Sequence, residues 1–414
     1  MKILLIGSGG REHAIAKKLA ESPRLKQLFI LPGNGGTDSL GENIHIDELT
    51  PESVLKKSIE LSTDLIVCGP EQPLVDGIAD QAKKHNIPLF GPVQKAAMLE
   101  GSKIFAKNFM KKYKIPTADF EIFTDFQAAK SYIKKMNNYP LVLKADGLAQ
   151  GKGVLICQDE QQSIQGLEEL MLKQILGGAG KKLVIEKYMQ GTEMSFIGFM
   201  DSDYFSPMIS ARDYKRAYDG NIGKNTGGMG CYAPHELYNN ELKSIVQKRI
   251  VEPLIQGLKK ENILYQGIMY IGLMLTEQGP KVVEFNCRMG DPETQVVLPL
   301  LQTDLIEIME SIMENNLQKQ EIVWSRQHGA CVVMASQGYP GAYEKNKKIS
   351  FQIDPASFIH AGTRITDSQY YTNGGRVLNA VALGKTKQEA LNNTYQLIQK
   401  VNFEGAFFRK DIGQ

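Results

Sequence analysis

Residues 144–154 read Lys144-Ala145-Asp146-Gly147-Leu148-Ala149-Gln150-Gly151-Lys152-Gly153-Val154, and they are the most informative stretch of the chain. The glycines allow the backbone to approach a ligand closely, and the two lysines place positive charge beside exposed amides, which suits a polyphosphate. The stretch is not a Walker A motif, because Lys152 is followed by Gly153 and not by Ser or Thr. Strand candidates at 141–144 and 183–186 flank it, together with a helix at about 160–176. We predict a flexible hairpin that closes over phosphates; a hairpin with solvated lysines is the alternative.

The first hundred residues show a repeated strand-loop-helix pattern. Short apolar runs at 2–6, 28–31, 64–68 and 88–90 each precede a glycine-rich turn. Strands that alternate with helices predict a parallel, doubly wound sheet with ligand loops at the carboxyl ends of its strands.

The opening Gly7-x-Gly9 pattern only partly matches a dinucleotide fingerprint. Glu12 occupies the last fingerprint position, and the end of the second strand, Ile30–Gly33, lacks the acid that would hold NAD ribose. Gly9, Gly10 and Arg11 could instead hold one phosphate at a helix N-terminus. A nicotinamide-dependent oxidoreductase is therefore disfavoured but remains an alternative, as does a plain strand-to-helix turn.

A second cluster, 284–294, follows a predicted strand. Glu284 and Asn286 point to one face of that strand, and Arg288 falls on the same side if the chain stays extended. Hard oxygen ligands suit Mg²⁺, which proteins hold with one or two carboxylates plus substrate phosphates. A salt bridge at a strand end is the alternative.

A third loop, 225–230, contains three glycines and follows the basic run 212–216. Such a loop can form a backbone nest for an anion, and the basic residues could hold a second charged ligand. A surface loop without a ligand is the alternative.

Composition limits the classes of function. The 414 residues carry 48 Lys plus Arg and 46 Asp plus Glu, a net charge of +2 that gives no overall field for nucleic acid or an anionic membrane. Hydrophobic residues at 42% and charged residues at 23% exclude a disordered or collagen-like chain. No apolar run approaches the roughly 20 residues of a membrane span. The five cysteines are scattered singly, so we predict a reduced, cytoplasmic protein.

These segments, taken together and in order, resemble the phosphoribosylamine-glycine ligase family, also called glycinamide ribonucleotide synthetase, of the ATP-grasp superfamily. The resemblance covers nearly the whole chain. It rests on the segments 7–13, 32–34, 69–74, 100–103, 144–154, 225–230, 284–295, 360–363, 372–378 and 409–413.

The resemblance implies a reaction and its cofactors. Glycine and 5-phosphoribosylamine would give glycinamide ribonucleotide, ADP and phosphate in de novo purine synthesis, with ATP and Mg²⁺ or Mn²⁺ as cofactors. The glycine carboxylate would attack the γ-phosphate, and the ribosylamine nitrogen would attack the resulting glycyl phosphate. Because an acyl phosphate is lost to water, a lid that closes over the site suits this chemistry.

The resemblance also implies roles for individual residues. Those implied to bind ATP are Lys103, Lys144, Gly147, Gly151, Lys152, Gly153, Glu186, Lys187, Tyr188, Met189 and Glu193. Glu284 and Asn286 match the metal ligands, and Arg288, Lys144 and Asp213 form the implied catalytic set. Those implied to meet substrates are Gly9, Gly10, Arg11, Asn34, Glu71, Asp213, Asn225, Gly227, Gly228 and Arg288.

We predict three α/β parts: a doubly wound domain at 1–101, an ATP-grasp domain at 102–323 with a mobile lid subdomain at about 116–190, and a small β-rich domain at 324–414. We also predict a Lys-rich helix from about residue 100 through Tyr113 and a long amphipathic helix near 241–259. We expect a monomer with small-molecule partners only. Two further alternatives remain open. One is another ATP-grasp enzyme, such as a biotin-dependent carboxylase component or a formate-using purine ligase, and the other is a nucleotide binder without turnover.

Overall fold

The structure is a computed structural model that describes residues 1–136, 138–148, 153–173, 175 and 180–414. Its largest buried cluster runs from Ile3 and Val67 in the N-terminal sheet to Ile306 in a central helix and Val333 in the C-terminal sheet. These parts of the chain therefore share one hydrophobic core. Within the described residues, no helix is both long and apolar enough to cross a lipid bilayer.

The N-terminal sheet has five parallel strands in the order β3-β2-β1-β4-β5. They are β1 (Lys2–Gly7), β2 (Gln27–Pro32), β3 (Glu42–Asn43), β4 (Leu65–Cys68) and β5 (Leu89–Phe90). The accompanying helices are α1 (Gly10–Ala20), α2 (Pro51–Leu61), α3 (Glu71–Val75), α4 (Ile78–Lys84) and α5 (Gln94–Gly101). β2 and β3 lie on one side of β1, and β4 and β5 lie on the other. Because the strand order reverses at β1, the loops after β1 and β4 meet at the carboxyl edge of the sheet. The predicted parallel sheet is confirmed; β3 was missed because it is only two polar residues long.

The helix predicted from about residue 100 to Tyr113 corresponds to α6 (Lys103–Lys112) and to the last two residues of α5. α5 ends at Gly101, and α6 begins after Ser102, whose extended backbone separates them. The Ser102 hydroxyl accepts from the Phe105 amide at 3.1 Å and so caps α6.

A four-stranded antiparallel sheet follows, in the order β6-β9-β7-β8. Its strands are β6 (Phe120–Phe123), β7 (Leu141–Ala145), β8 (Val154–Cys157) and β9 (Leu183–Lys187). Helices α7 (Phe126–Met136) and α8 (Glu160–Leu167), the latter continued by a π-turn at Glu168–Leu172, cover one face. β7 and β8 pair as a hairpin on either side of the glycine-rich stretch, with Lys144 opposite Val154.

The central sheet is antiparallel in the order β11-β10-β16-β17. It contains β10 (Thr192–Met200), β11 (Phe205–Pro207), β16 (Gly267–Thr276) and β17 (Gly279–Asn286). Helix α9 (Asn240–Val246), a π-turn at Gln247–Val251 and α10 (Glu252–Lys260) form the single predicted amphipathic helix. They pack with α6 over this sheet.

The C-terminal sheet has six strands, β12-β15-β18-β23-β20 with β25 beside β18. The remaining strands are β12 (Arg212–Asp213), β13 (Arg216–Tyr218), β14 (Ile222–Asn225), β15 (Gly230–Ala233), β18 (His328–Ser336), β19 (Ser350–Phe351), β20 (Ile359–His360), β21 (Thr363–Thr366), β22 (Gln369–Thr372), β23 (Arg376–Gly384), β24 (Val401–Asn402) and β25 (Ala406–Phe407). The remaining helices are α11 (Glu293–Val297), α12 (Leu305–Met313) and α13 (Lys387–Ile398). The predicted β-rich C-terminal part is confirmed, and its sheet includes β12 and β15 from the middle of the chain.

Candidate active site

The centre of the site is Glu284, which lies near the end of β17. Burial alone would raise the pKa of this carboxyl, but the positive charges of Lys215, Lys144 and Lys103 hold its pKa below the ordinary value. Glu284 is therefore ionised at neutral pH. Lys144 lies on β7 of the sheet β6-β9-β7-β8, Lys103 begins α6, and Lys215 follows β12 of the C-terminal sheet.

The N-terminal turn of α6 holds the start of the glycine-rich hairpin. Lys103 Nζ donates to the Gly147 carbonyl at 2.9 Å, and Asp146 Oδ1 accepts from the Ser102 hydroxyl at 2.8 Å. Gly147 has a φ of +117°, which favours glycine. On the returning strand, the Gly153 carbonyl accepts from the Ala145 amide at 2.9 Å. The predicted ATP-binding residues Gly151 and Lys152 lie outside the described residues.

Lys144 and Glu186 form a buried ion pair. Lys144 Nζ lies 3.0 Å from Glu186 Oε2 and donates to the Val283 carbonyl at 3.2 Å. A second lysine, Lys107 on α6, lies 3.0 Å from the other carboxylate oxygen, Oε1. Lys107 was not predicted as a site residue, because its contact with Glu186 joins positions that are 79 residues apart in the chain.

The residues expected around adenine and ribose follow β9. The Lys187 amide donates to the Asp119 carbonyl at 3.0 Å, while Tyr188 is exposed and Met189 is partly buried. Glu193 on β10 is half-exposed, and its Oε2 lies 3.4 Å from Lys215 Nζ. Glu193 therefore lies beside the lysines that face Glu284.

A cavity beside Glu284 is lined by Glu193, Ser195, Asp213, Lys215 and Tyr270. Burial raises the pKa of Asp213 from its ordinary value, although the positive charge of Lys215 opposes this shift. Lys215 Nζ lies 3.9 Å from Asp213 Oδ2. The Ser195 hydroxyl connects the cavity wall to buried Glu293, to which it donates at 2.8 Å.

Arg288 has four acceptors, one of which is the Met289 carbonyl, 3.3 Å from its Nη1. Its Nη2 lies 2.8 Å from Glu100 Oε1 and donates to Asn286 Oδ1 at 3.2 Å, and its Nε donates to Glu71 Oε2 at 3.3 Å. Glu100 Oε2 also accepts from the Cys287 amide at 2.7 Å. The predicted residues Glu71, Asn286 and Arg288 therefore lie together, at the junction of the N-terminal and central sheets.

The loop after β1 has partners within the chain. The Gly9 amide donates to Glu12 Oε2 at 2.7 Å, and Arg11, which is 9% exposed, donates to Glu12 Oε1 at 2.6 Å and to the Met289 carbonyl at 3.1 Å. A Cβ on Gly10 would come within 2.7 Å of Gln295 Nε2. A substrate phosphate at this helix N-terminus would therefore compete with Glu12 for the Gly9 amide.

Asn34 joins the N-terminal loops to the C-terminal sheet. Its Nδ2 donates to the Ser8 carbonyl at 2.9 Å and to the His360 carbonyl at 3.0 Å, and its Oδ1 accepts from the Gly36 amide at 2.8 Å. Asn34 is buried among these neighbours, with 7% of the residue exposed. Its amide group thus supports loop packing in this structure.

Arg376 contacts the glycine loop that follows β14. The last residue of β14, Asn225, is exposed. Arg376 Nη1 donates to the Gly227 carbonyl at 2.9 Å and to the Asp291 carbonyl at 3.0 Å, and Arg376 Nη2 lies 3.0 Å from Asp291 Oδ2. Gly228 has a φ of +118°, and a Cβ there would lie 2.4 Å from the Pro292 ring. The loop therefore packs against Asp291 and Pro292.

Four residues of the site were not predicted individually: Lys107, Lys215, Glu100 and Arg376. Lys215 belonged to the basic run before the third loop, and Glu100 and Arg376 lie in segments that carry the family resemblance. The sequence spacing of these residues does not predict a functional role, because each of them contacts residues that are far away in the chain.

The side-chain oxygens of Glu284 and Asn286 are of the kind that hold a divalent cation, and Asn286 Oδ1 also accepts from Arg288 Nη2 at 3.2 Å. An ionised carboxylate and an amide oxygen are hard ligands, and such a pair leaves positions for phosphate oxygens and water. The described residues contain no group of three or more His, Cys, Asp or Glu side chains placed to hold a metal. The donor set therefore suits an ion shared with a phosphate ligand.

Comparisons with known proteins agree with this architecture. Family models described as phosphoribosylglycinamide synthetase match the N domain at residues 1–100, the ATP-grasp (A) domain at 101–294 and the C domain at 329–414. The phosphoribosylamine-glycine ligase of Caldanaerobacter subterraneus subsp. tengcongensis is 43% identical over 414 residues, which are 100% of this chain and 99% of that protein.

Two solved structures are similar in fold. The crystal structure of phosphoribosylamine-glycine ligase from Thermotoga maritima has a TM-score of 0.88 at 34% identity, with 100% of both chains covered. The biotin carboxylase domain of Hydrogenobacter thermophilus 2-oxoglutarate carboxylase, solved with MgADP, ADP and bicarbonate, has a TM-score of 0.74. That match covers 98% of this chain and 91% of the other at 16% identity, so the likeness concerns the fold alone.

These findings confirm the predicted ATP-grasp core, and the oxidoreductase alternative is wrong. The family models account for most of the chain, and the first of these relatives matches it from end to end. The chain belongs to the phosphoribosylamine-glycine ligase family of ATP-grasp proteins.

Proposed function

We propose that this protein is a carbon-nitrogen ligase that joins glycine to 5-phosphoribosylamine in de novo purine synthesis, with conversion of ATP to ADP and phosphate. The observation that carries the proposal is a glycine-rich hairpin with three lysines around it: Lys103 donates to the Gly147 carbonyl, Lys144 donates to the Val283 carbonyl, and Lys215 lines one cavity with Glu284. In a chain of this family, that arrangement suits a nucleotide polyphosphate. Polyphosphate chemistry of this kind depends on positioning and electrostatics rather than on a protein nucleophile.

In the first step, a glycine carboxylate oxygen attacks the γ-phosphorus of ATP. The bond from that phosphorus to the β,γ-bridging oxygen breaks, ADP leaves, and glycyl phosphate forms. Lys103 and Lys144 would bind phosphate oxygens, and the hairpin around Gly147 and Gly153 would cover them. Exclusion of water by this hairpin would protect the acyl phosphate from hydrolysis.

In the second step, the amine nitrogen of phosphoribosylamine attacks the carbonyl carbon of glycyl phosphate. The carbon-oxygen bond to phosphate breaks, phosphate leaves, and the nitrogen loses a proton as the amide forms. Arg288, which Glu71 and Glu100 orient, would neutralise the acyl phosphate or the glycine carboxylate. Asp213 would meet an amine, because its carboxyl group lines the cavity beside Glu284.

Glu284 and Asn286 would hold Mg²⁺ or Mn²⁺. When bound, such an ion would offset negative charge on the nucleotide phosphates. The domain limits given above, a monomeric state and a cytoplasmic location are also proposals. The location is supported by the five cysteines, all of which are buried and unpaired.

The test is ADP release with Mg-ATP in the presence of glycine and freshly generated phosphoribosylamine, compared with reactions that lack each substrate. We expect release only when both are present, together with glycinamide ribonucleotide detected by mass. Turnover with a different carboxylate would overturn the substrate assignment. Nucleotide binding without turnover would instead favour an inactive binding protein.

A further inference from the structure

Glu186 is a buried carboxylate that two lysines share. The Glu186 side chain is 2% exposed, and its oxygens lie 3.0 Å from Lys107 Nζ and 3.0 Å from Lys144 Nζ. Both lysines are themselves buried, with 2% and 7% of their side chains exposed. A carboxylate at this depth needs a positive partner, but one is enough to neutralise it.

Lys107 is the more firmly held of the two lysines. Its Nζ also donates to the Thr117 hydroxyl at 2.7 Å, and that hydroxyl donates to the Val282 carbonyl at 2.6 Å. The ammonium lies 5.5 Å from the centre of the Phe120 ring. These contacts attach Lys107 to the segment just before β6, to β6 itself and, through Thr117, to the central sheet.

The Lys144 ammonium has fewer contacts than the Lys107 ammonium. Besides Glu186, the Lys144 ammonium contacts only the Val283 carbonyl among the described residues, at 3.2 Å. The ammonium is close enough to Glu284 to lower the pKa of that carboxyl. Lys144 therefore lies between a carboxylate that already has another partner and the region where the phosphates are expected.

We propose that Lys107 is a positioning residue that neutralises Glu186 and so frees Lys144 to bind a nucleotide phosphate. The inference rests on the proposed function, because it takes Lys144 as a nucleotide ligand. The exchange breaks no covalent bond: the Lys144 ammonium leaves Glu186 Oε2 for a phosphate oxygen. Lys107 stays on Oε1, so Glu186 never remains buried without a positive partner.

The test is a double-mutant cycle measured by calorimetric titration with MgADP. Lys107→Met leaves Lys144 as the one lysine beside Glu186, so we expect the dissociation constant for MgADP to rise on the order of tenfold. In the Glu186→Gln background the carboxylate charge is gone, and the same Lys107→Met change should have little effect. Lys107→Arg, which keeps the charge, should restore most of the affinity.

Lys111→Met is the matched control. Lys111 lies one turn further along α6, is exposed and approaches the same Phe120 ring at 5.8 Å, but it is not one of the lysines beside Glu186. We expect it to bind MgADP as the wild type does. Thermal unfolding of each variant establishes that it is folded, and Lys107→Gln replaces Lys107→Met if the latter does not fold.

Two results would overturn the proposal. One is unchanged MgADP affinity in folded Lys107→Met, and the other is an equal loss of affinity in the wild-type and Glu186→Gln backgrounds. The proposed function has its own test in wild-type turnover. If the wild type binds MgADP but does not ligate glycine, the proposed ligase function is refuted. The double-mutant cycle on MgADP affinity would still test the role of Lys107.

Discussion

At the scale of single residues, Glu100 shows how one buried carboxylate can orient a functional group. It lies at the end of α5, just before the residues that begin α6, and it contacts both the Arg288 guanidinium and the Cys287 amide. Burial raises the pKa of Glu100, whereas the charge of Arg288 opposes this shift. The side chain therefore links the N-terminal part of the chain to the strand end that carries Asn286 and Arg288.

The change Glu100→Gln keeps the shape of this side chain and removes its charge. We expect the free energy of unfolding to fall by about 1–3 kcal/mol, because a charged hydrogen bond is lost in a buried place. We expect kcat/KM to fall about tenfold or more, because Arg288 loses its shortest contact with a carboxylate. Urea unfolding and steady-state kinetics measure the two effects.

Glu60→Gln is the control, since Glu60 is an exposed carboxylate that pairs with Lys57 on the surface of α2. It should change neither quantity measurably. A fully active and stable Glu100→Gln enzyme would contradict the role given to Glu100.

Two buried histidines predict a dependence of stability on pH. Burial lowers the pKa of His13 to about 3 and that of His360 to about 4, against an ordinary value of 6.5. Below pH 6.5 the unfolded chain therefore binds more protons than the folded one, and stability should fall as the pH drops from 6.5 towards 4. The slope per histidine is at most about 1.4 kcal/mol per pH unit.

The change His13→Asn tests this. It retains an acceptor for the His360 amide, which donates to His13 Nδ1 at 2.8 Å. Urea unfolding between pH 4.5 and 7 should show a shallower slope for the variant than for the wild type. An identical slope would mean that His13 does not remain neutral in the folded state.

At the scale of elements, the segment 409–413 supports the β13–β14 hairpin that leads to the glycine loop. Arg409 is 1% exposed, forms a bidentate pair with Asp411 at 2.7 Å and donates to the Arg216 carbonyl at 3.1 Å. The Gly220 amide donates to Asp411 Oδ2 at 2.8 Å. The Arg409 guanidinium also lies 5.0 Å from the centre of the Tyr214 ring. Tyr214 is the residue between Asp213 and Lys215 in the sequence.

The change Arg409→Lys should therefore affect both stability and activity. Lysine cannot form the bidentate pair, so we expect a loss of about 1–3 kcal/mol in unfolding free energy and a lower kcat. Because Arg409 contacts Asp411, Arg216 and Tyr214, none of which is proposed to bind ATP, KM for ATP should change less than kcat. Arg326→Lys, at an exposed position, serves as the control, and wild-type kinetics in Arg409→Lys would refute the supporting role.

At the scale of the whole molecule, the C-terminal sheet is assembled from distant parts of the chain. β15 pairs with β18, with Gly230 opposite Val332 and Ala233 opposite Gly329, and Tyr214 and Tyr232 belong to the same buried cluster as Val377. The proposed C-terminal part, 324–414, therefore shares one sheet and one core with residues from the middle of the chain.

This arrangement predicts that a fragment of residues 324–414 does not fold alone. Without β12 and β15, the edge of β18 is unpaired and part of the core is exposed. We expect weak far-ultraviolet dichroism, no cooperative thermal transition and aggregation, in contrast to the full chain. A sharp two-state transition of the fragment would contradict this.

Much of the architecture was predictable because its signals are local. Apolar runs before glycine-rich turns indicated four of the five N-terminal strands, and the periodicity of 241–259 indicated the helix that the structure shows at 240–260. The strands predicted at 141–144 and 183–186 are β7 and β9, which pair with each other, whereas β8, which closes the hairpin, was not predicted. The break at Ser102 was not predicted, because a serine inside an apolar pattern ends a helix only when its surroundings favour the extended backbone.

By itself, the amino-acid sequence determined the elements, the family and the residue types of the site, because backbone preference, side-chain periodicity and short motifs are encoded by neighbouring residues. Only the tertiary structure decided which groups share a partner: Lys107 with Lys144 on Glu186, Glu100 with Glu71 on Arg288, and Arg376 on the loop at Gly227. These contacts join elements that are far apart in the chain. Their formation depends on how separate sheets pack on one core, and that packing balances burial of apolar surface against the cost of leaving charged groups without partners.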